Sequence, residues 1–324
     1  KMADQVKIGF IGCGGNARWH MGTLSNMEDV KIVALCDIKA ALAESAANQF
    51  GGEAYTNHKE LLKRKDLDGI YISIPVFAHG EPELDVIERG LPFFVEKPVA
   101  INMETAESVL EAVEKTNTIT CVGYQLRYSG TVDVARELFQ NKTINMVVGK
   151  YWCNSGIGGP GFWLRQMSKS GGQLVEQATH TVDMMRYFAG DIKEVYALQE
   201  NRVLKDIDCP DVNVVCMKFE NGSIGSLTTT WAYNGDWSNA NVIDVLFENS
   251  LAQWTAGSLE VKPALETPLP VKPDQIIDRV FIDAVKSGDG SNIRSPYKDA
   301  IKTLSATLAM NESGKTGKPI TVKL

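Results

Sequence analysis

The chain has 324 residues, 44% of them hydrophobic, 23% charged and 8% aromatic, the make-up of a water-soluble globular protein long enough for two cores at roughly 100–200 residues per domain. With 33 Lys and Arg against 40 Asp and Glu the net charge is −7, and no basic run stands out, so nucleic acid is not an expected partner. No apolar stretch approaches the ~18 residues of a membrane span; the longest, 70–78, is interrupted by Ser73 and Pro75, and no secretion signal is read ahead of the first apolar run.

Val6–Ile11 is a short apolar run that ends in glycines, and Val30–Cys36 is a second, closed by Asp37; the stretch 16–26 between them has helix length. Residues 39–50 are alanine-rich and stop at Gly51-Gly52, a helix-ending signal. Runs 69–74 and 92–95 read as buried strands, with a helix over 83–89 that stops at Gly90 before Pro92. Asn102 can cap a helix through 114, whose Ala106, Val109, Leu110 and Val113 share one face, and 118–122 is a further strand. Continuous apolar runs belong to strands covered on both faces, as in a parallel sheet. The prediction is a doubly wound parallel α/β domain over 1–123.

Beyond Gly123 the pattern alternates, in 144–154, 195–200, Val212–Phe219, 223–231 and 242–247, with Asn221-Gly222 as a hairpin turn between two of them. Helices are expected over 174–188, over 275–287 with Ile276, Val280, Phe281 and Ala284 inward, and over 297–311. The second domain, 124–324, is therefore predicted as α/β with an open, largely antiparallel sheet. The six cysteines are scattered without a C-x-x-C pair, and the four histidines show no ligand spacing. Reduced core thiols, a cytoplasmic location and no metal follow as expectations.

Gly12-Cys13-Gly14-Gly15-Asn16-Ala17 fits G-x-G-x-x-A directly after a strand and before a helix. The first glycine permits the turn, the second lets backbone approach a pyrophosphate, and the small third residue allows close helix–strand packing. The helix N-terminus adds free N–H groups and a positive dipole end. Asp37 closes the next strand, followed by Ile38, and its carboxylate suits the two hydroxyls of an adenine ribose while repelling a 2′-phosphate. NAD is the expected cofactor. NADP is the alternative, because Lys39 would meet a 2′-phosphate if the acid swung away.

Glu96-Lys97-Pro98 follows a strand's carboxyl end, the edge that faces the ligand crevice in open α/β sheets. A lysine there, held beside a proline, points to function more than to a solvated charge. Farther on, Glu176 and His180 are four apart and share a helical face, where a carboxylate can orient the ring and favour its protonated form. Such a spacing also fits an ordinary surface pair, and Asp183 extends the polar face or meets solvent.

The glycine motif, Ile74-Pro75 with His79 four residues on, Glu96-Lys97-Pro98, Tyr124-Gln125-Leu126-Arg127-Tyr128, and Gly171-Gly172 leading to His180 occur in that order, and Gly317-Lys318-Pro319-Ile320-Thr321-Val322 closes the chain like a final strand. Together they resemble the glucose–fructose oxidoreductase / inositol dehydrogenase / MocA family over essentially the whole chain. The resemblance implies a Rossmann domain followed by an α/β domain whose open sheet forms oligomer contacts, so that a homodimer or homotetramer is expected. It further implies oxidation of a secondary alcohol of a sugar or cyclitol, with Lys97 near the nicotinamide and the reacting hydroxyl. His180 would be the proton acceptor, and Glu176 stands where many family dehydrogenases carry Asp. Ile74, Pro75, His79 and Glu96 would shape the nicotinamide pocket.

Candidate walls of a substrate site are the glycine-rich stretch 154–173, with Trp163, Arg165 and glycines at 156, 158, 159, 161, 171 and 172, and the crossover residues Tyr124, Arg127 and Tyr128. Arg127 reads equally as an ion pair between domains, and Trp231, Tyr233 and Trp237 as core or a subunit interface. Glycines 171 and 172 would let backbone approach a ligand. The expected chemistry is removal of a hydroxyl proton by His180 and stabilisation of the developing alkoxide by Lys97, with Glu176 orienting the ring. A redox-neutral sugar enzyme, glycosidase-like or epimerase-like, and an NAD-binding sensor without catalysis are the competing readings.

Overall fold

The computed structural model describes residues 5–154, 158–159 and 161–323; Gly156, among the glycines above, lies outside them. The chain divides into two units, Lys1–Gly123 with Ile276–Asp299, and Tyr124–Gln275 with Ala300–Leu324.

In the first unit, β1 (Val6–Ile11), β2 (Val30–Cys36), β3 (Glu53–Tyr55), β4 (Gly69–Ile72), β5 (Phe93–Val95) and β6 (Thr120–Val122) form one sheet in the order β3-β2-β1-β4-β5-β6. Every pairing in it is parallel. The apolar runs are buried as continuous stretches, with Ile8, Phe10, Ile70, Tyr71, Phe93 and Phe94 all fully covered, because helices lie on both faces. Those helices are α1 (Gly15–Ser25), α2 (Ala40–Phe50), the single turn α3 (His58–Leu61), α4 (Glu81–Glu88) and α5 (Met103–Thr116). Asn102 caps α5 by accepting the Thr105 N–H, and Asn117 ends it in a left-handed conformation. The strand order reverses at β1 and β4, which opens a crevice at their carboxyl ends.

The second unit holds α6 (Gly130–Phe139), β7 (Ile144–Trp152), α7 (Met167–Ser170), α8 (Gly172–Glu176), α9 (Thr179–Ala189), β8 (Ile192–Glu200), β9 (Val212–Phe219), β10 (Ile224–Thr230), β11 (Ala240–Phe247), β12 (Ser250–Thr255) and β13 (Ser258–Lys262). After α10 (Ile277–Ser287), α11 (Tyr297–Thr316) leads to β14 (Ile320–Thr321). The sheet runs β13-β12-β11-β7-β10-β9-β8-β14. It is antiparallel except where β10 pairs parallel with β7. α9 packs on β7 and β11 and buries Val182, Met184, Met185 and Phe188. The other face keeps its alternate residues outward, among them Tyr196, Leu198, Val214 and Ile224, which are 38–59% exposed. Among the described residues no helix is long and apolar enough to cross a membrane.

Three expectations change. First, α10 was assigned by sequence to the second domain, yet 276–299 belongs to the first unit. Its Phe281 ring stands edge-on to Tyr71 at 5.3 Å and packs on Phe94 at 6.0 Å. The buried stripe is Ile277, Asp278, Phe281, Ile282 and Ala284, while Ile276 is 53% exposed. Second, the single helix over 174–188 is two. Its bonding slips at Gln177 and Ala178, where the Ala178 N–H reaches back five residues to Gln173 and the His180 N–H three to Gln177. The Gln177 side chain is held by the Trp231 indole N–H at 2.6 Å. Third, β3, α3, α6, α7, β12 and β13 are additional to the elements read from sequence.

Candidate active site

Four segments collect at the carboxyl edge of the parallel sheet: the glycine loop after β1, Asp37 after β2, 73–75 after β4 and 96–98 after β5. Gly12 has φ +97°, and a Cβ there would stand 2.0 Å from the Ser73 carbonyl oxygen, so only glycine fits. Gly14 is the N-cap of α1 and offers no side-chain cap. The N–H groups of the first turn, at Gly15, Asn16 and Ala17, therefore remain available to an anion. A Cβ at Gly14 or Gly15 would meet nothing within 4 Å, which leaves an open cradle in front of them. Ala17 is fully buried where α1 meets the sheet.

Asp37 is pinned by backbone. One carboxylate oxygen accepts the Cys13 N–H at 3.0 Å and the other the Lys39 N–H at 2.9 Å. A swing of the acid would orphan the N–H of Cys13, a fully buried residue. Ile38, beside it, is 89% exposed. Ile74 and Pro75 are half-buried at the crevice. His79, expected to line the pocket, turns inward instead: its Nδ1 lies 2.5 Å from Glu83, whose other oxygen accepts the Gly80 N–H. Both side chains are essentially inaccessible.

Lys97 follows β5 and is half-buried. Glu96 is only 8% exposed, and its carboxylate faces into the unit. One oxygen lies 2.9 Å from Nε2 of His20, and the other accepts the Lys97 N–H at 3.2 Å. Nδ1 of His20 lies 2.6 Å from Asp278. With both ring nitrogens facing carboxylate oxygens, only the imidazolium can donate to each. Burial by itself pushes the His20 pKa down, but hydrogen bonds to Asp278 and Glu96 outweigh it and raise the value to about 9. Gly123 passes so close that a Cβ would stand 2.9 Å from the Glu96 carboxyl.

In the second unit, Tyr124 is buried with its hydroxyl 2.9 Å from Thr179 Oγ1, and its ring meets His180 edge-on at 6.0 Å. His180 sits in the first turn of α9 and Glu176 ends α8; both are half-buried. The break between the two helices means that their spacing is not that of one continuous helix. Arg127, expected at the substrate or between domains, is 2% exposed and donates to both oxygens of buried Asp183 at 2.7 and 2.6 Å. Its guanidinium also stacks on Tyr187 at 4.5 Å, and Asp183 accepts from Thr303 at 2.8 Å. Asp183 thus ties α9 to the turn Gln125–Tyr128 through Arg127 and to α11 through Thr303, which corrects both earlier assignments of Arg127 and the solvent reading of Asp183.

The stretch after β7 also uses its polar groups locally. Arg165 pairs with Asp206 and donates to the Gly158 carbonyl, so the loop is closed by the arginine expected to greet substrate. Trp163 is half-buried beside Phe162, which is 42% exposed. Gly171 and Gly172 have φ of +71° and +72°, and a Cβ on Gly171 would press on Val175; their freedom serves the junction of α7 and α8. Trp231 is core, whereas Trp237 is 60% exposed.

Residues 6–124 match the oxidoreductase family with an NAD-binding Rossmann fold, and 135–249 match the GFO/IDH/MocA C-terminal domain. The chain belongs to the GFO/IDH/MocA family. Its first unit is an NAD-binding Rossmann domain, and the open glycine cradle with the pinned Asp37 fits that dinucleotide. This GFO/IDH/MocA chain is 29% identical over 187 residues to the glucose-6-phosphate 3-dehydrogenase of Bacillus subtilis (strain 168), a match that covers 56% of the chain and 53% of that protein. It thus spans about half the length of that relative. It is 25% identical over 227 residues to the myo-inositol 2-dehydrogenase of Thermotoga maritima, covering 68% and 67%. The WlbA dehydrogenase from Bordetella pertussis, solved with NADH and UDP-GlcNAcA, superposes with a TM-score of 0.85 at 18% identity over 99% of each chain. At that identity the likeness is one of fold.

His20, Glu83 and Asp278 are the site-adjacent residues absent from the sequence reading. A signal existed for two of them. His20 occupies the apolar stripe of α1 with Ala17, Met21 and Leu24, and Asp278 that of α10; a polar residue at a core position needs a partner.

Proposed function

We propose that this protein is an NAD-dependent oxidoreductase that oxidises a secondary alcohol of a sugar, a sugar derivative or an inositol. The observation that carries the reading is a lysine placed at the carboxyl end of β5, on the same sheet edge as the dinucleotide cradle and Asp37. The relatives named above, sugar and inositol dehydrogenases, support the substrate class. Bound NAD supplies the hydride acceptor. Lys97 donates to the alcohol oxygen and stabilises the alkoxide character that develops there. His180 takes the hydroxyl proton, and Tyr124 buttresses its ring. Glu176 orients it. Trp163 with Phe162 offers an apolar surface for a sugar ring. All six cysteines are free thiols, which supports a cytoplasmic home, and the exposed apolar residues on the outer sheet face support a homodimer or homotetramer.

The test is near-ultraviolet absorbance of protein with NAD across inositols, aldoses, sugar acids and glycosides. Growth of the reduced-nicotinamide signal with one polyol is expected. A flat trace, with product released from a glycoside without net reduction, would replace the reading with the redox-neutral one.

Asp37 sets the coenzyme. Two like charges ~4 Å apart at an effective dielectric near 20 repel by about 4 kcal/mol, and the pinned carboxylate cannot retreat from a 2′-phosphate. NAD should therefore bind at least ~100-fold tighter than NADP, and Asp37→Ser should shrink that ratio by tenfold or more. Equal affinities in the unaltered protein, measured by fluorescence titration, would refute the assignment.

A further inference from the structure

We infer that His20 is a positioning residue for Lys97, acting through the Glu96 carboxylate. The inference rests on the function proposed for Lys97. The contacts form a single line: Asp278 Oδ1 to His20 Nδ1 at 2.6 Å, His20 Nε2 to Glu96 Oε1 at 2.9 Å, and the Lys97 N–H to Glu96 Oε2 at 3.2 Å. Each member sits on a different element of the same unit, α10, α1 and the segment after β5. His20 and Asp278 are 2% and 0% exposed, so neither meets substrate or cofactor directly.

The line has a purpose that packing alone would not require. An apolar side chain at position 20 would complete the stripe of α1, and replacing buried ions by hydrophobes of similar size is often neutral or stabilising. What an apolar residue cannot do is aim the carboxylate. Glu96 is flanked on one side by the imidazolium and on the other by Gly123, whose missing Cβ leaves just the room that the carboxyl fills. Held in this slot, Glu96 fixes the backbone N–H from which Lys97 departs. The aromatic wall of Trp19, Tyr71 and Phe94 rings, 4.7–5.5 Å from the imidazole, keeps water from competing. A side chain placed on the rigid helix that begins at the dinucleotide cradle thereby sets the lysine that acts on the alcohol.

Two substitutions separate aiming from mere filling. An asparagine amide reaches about as far as Nδ1 of histidine, and a glutamine amide about as far as Nε2. His20→Asn thus keeps the Asp278 contact and loses Glu96, whereas His20→Gln keeps Glu96. In His20→Asn, kcat should fall by roughly 10–100-fold, the scale expected of a ~1 Å misplacement of a reacting group, with the NAD dissociation constant little changed. His20→Gln should recover at least half of that loss on a logarithmic scale. Equal losses in the two variants, or none in either, would overturn the inference. A second measurement needs no turnover: the rate at which an amine-acylating reagent labels Lys97, mapped by mass spectrometry without cofactor, should shift in His20→Asn and stay near the unaltered value in His20→Gln. If His20→Asn fails to fold, His20→Gln is compared with Asp278→Leu, which keeps the histidine as a neutral donor to Glu96, and both should label like the unaltered protein. An unaltered protein without turnover would remove the proposed function, while the labelling pattern would still decide the role of His20.

Discussion

Lys97→Met should lower kcat by at least ~10³-fold while the NAD dissociation constant stays within a few-fold. Methionine keeps the length and much of the volume of the lysine stem, so Pro98 and the end of β5 need not move. The ammonium alone is lost. A donor aimed at a developing oxyanion is worth about 10²–10³ in kcat, and a group that manages the transferred proton about 10²–10⁴; Lys97 is proposed to do the first and to assist the second. The adenine ribose and pyrophosphate contacts proposed for Asp37 and the glycine cradle fall on segments that the substitution does not touch. Stopped-flow turnover with the best polyol and a fluorescence titration with NAD separate the two effects. Turnover within tenfold of the unaltered protein would exclude Lys97 from the chemistry, and loss of NAD binding in step with kcat would make it a cofactor ligand instead.

Arg127→Met should unfold the protein more easily by about 3–5 kcal/mol, the scale for stripping one partner from a buried ion pair. Asp183 is 1% exposed, and without the guanidinium its charge keeps, among the described residues, the Thr303 hydroxyl at 2.8 Å and a distant Arg186 nitrogen at 3.9 Å. Removing both charges, as in Arg127→Met with Asp183→Leu, should recover most of the loss, because no buried charge is then left without its counterpart. Urea unfolding of the single and double variants reads this directly. A substrate-binding arginine would behave in the opposite way, raising KM at an unchanged urea midpoint.

The legible parts of this protein are those written in short-range chemistry. G-x-G-x-x-A after an apolar run, the acid closing the next strand and the caps at Asn102 and Gly51 each need only neighbours in sequence, and each forms as expected. Asn221-Gly222 likewise joins β9 to β10. What could not be read needs partners far away. No glycine or proline marks the break at Gln177 and Ala178; the Trp231 indole holds it open. The apolar stripe of α10 shows that the helix is buried, but nothing local says against which sheet, and Asp278 inside that stripe rotates the inward face away from the one a hydrophobic count selects. Arg127 and Arg165 read as candidate walls of a substrate site because their carboxylate partners, Asp183 and Asp206, are 56 and 41 residues distant.

The return of 276–299 to the first unit has a consequence for how the chain is made. His20 and Asp278 are 258 positions apart, and everything from Tyr124 to Gln275 belongs to the other unit. A ribosome adding ~5–20 residues per second needs roughly 8–30 s to cross that insert. Through that interval the nascent Rossmann sheet has no α10 to cover Tyr71 and Phe94, and His20 faces Glu96 without its second carboxylate. The first-born unit therefore waits to close until most of the other has been made, and a chain cut after Gly123 carries the whole dinucleotide motif on a sheet with one of its walls missing.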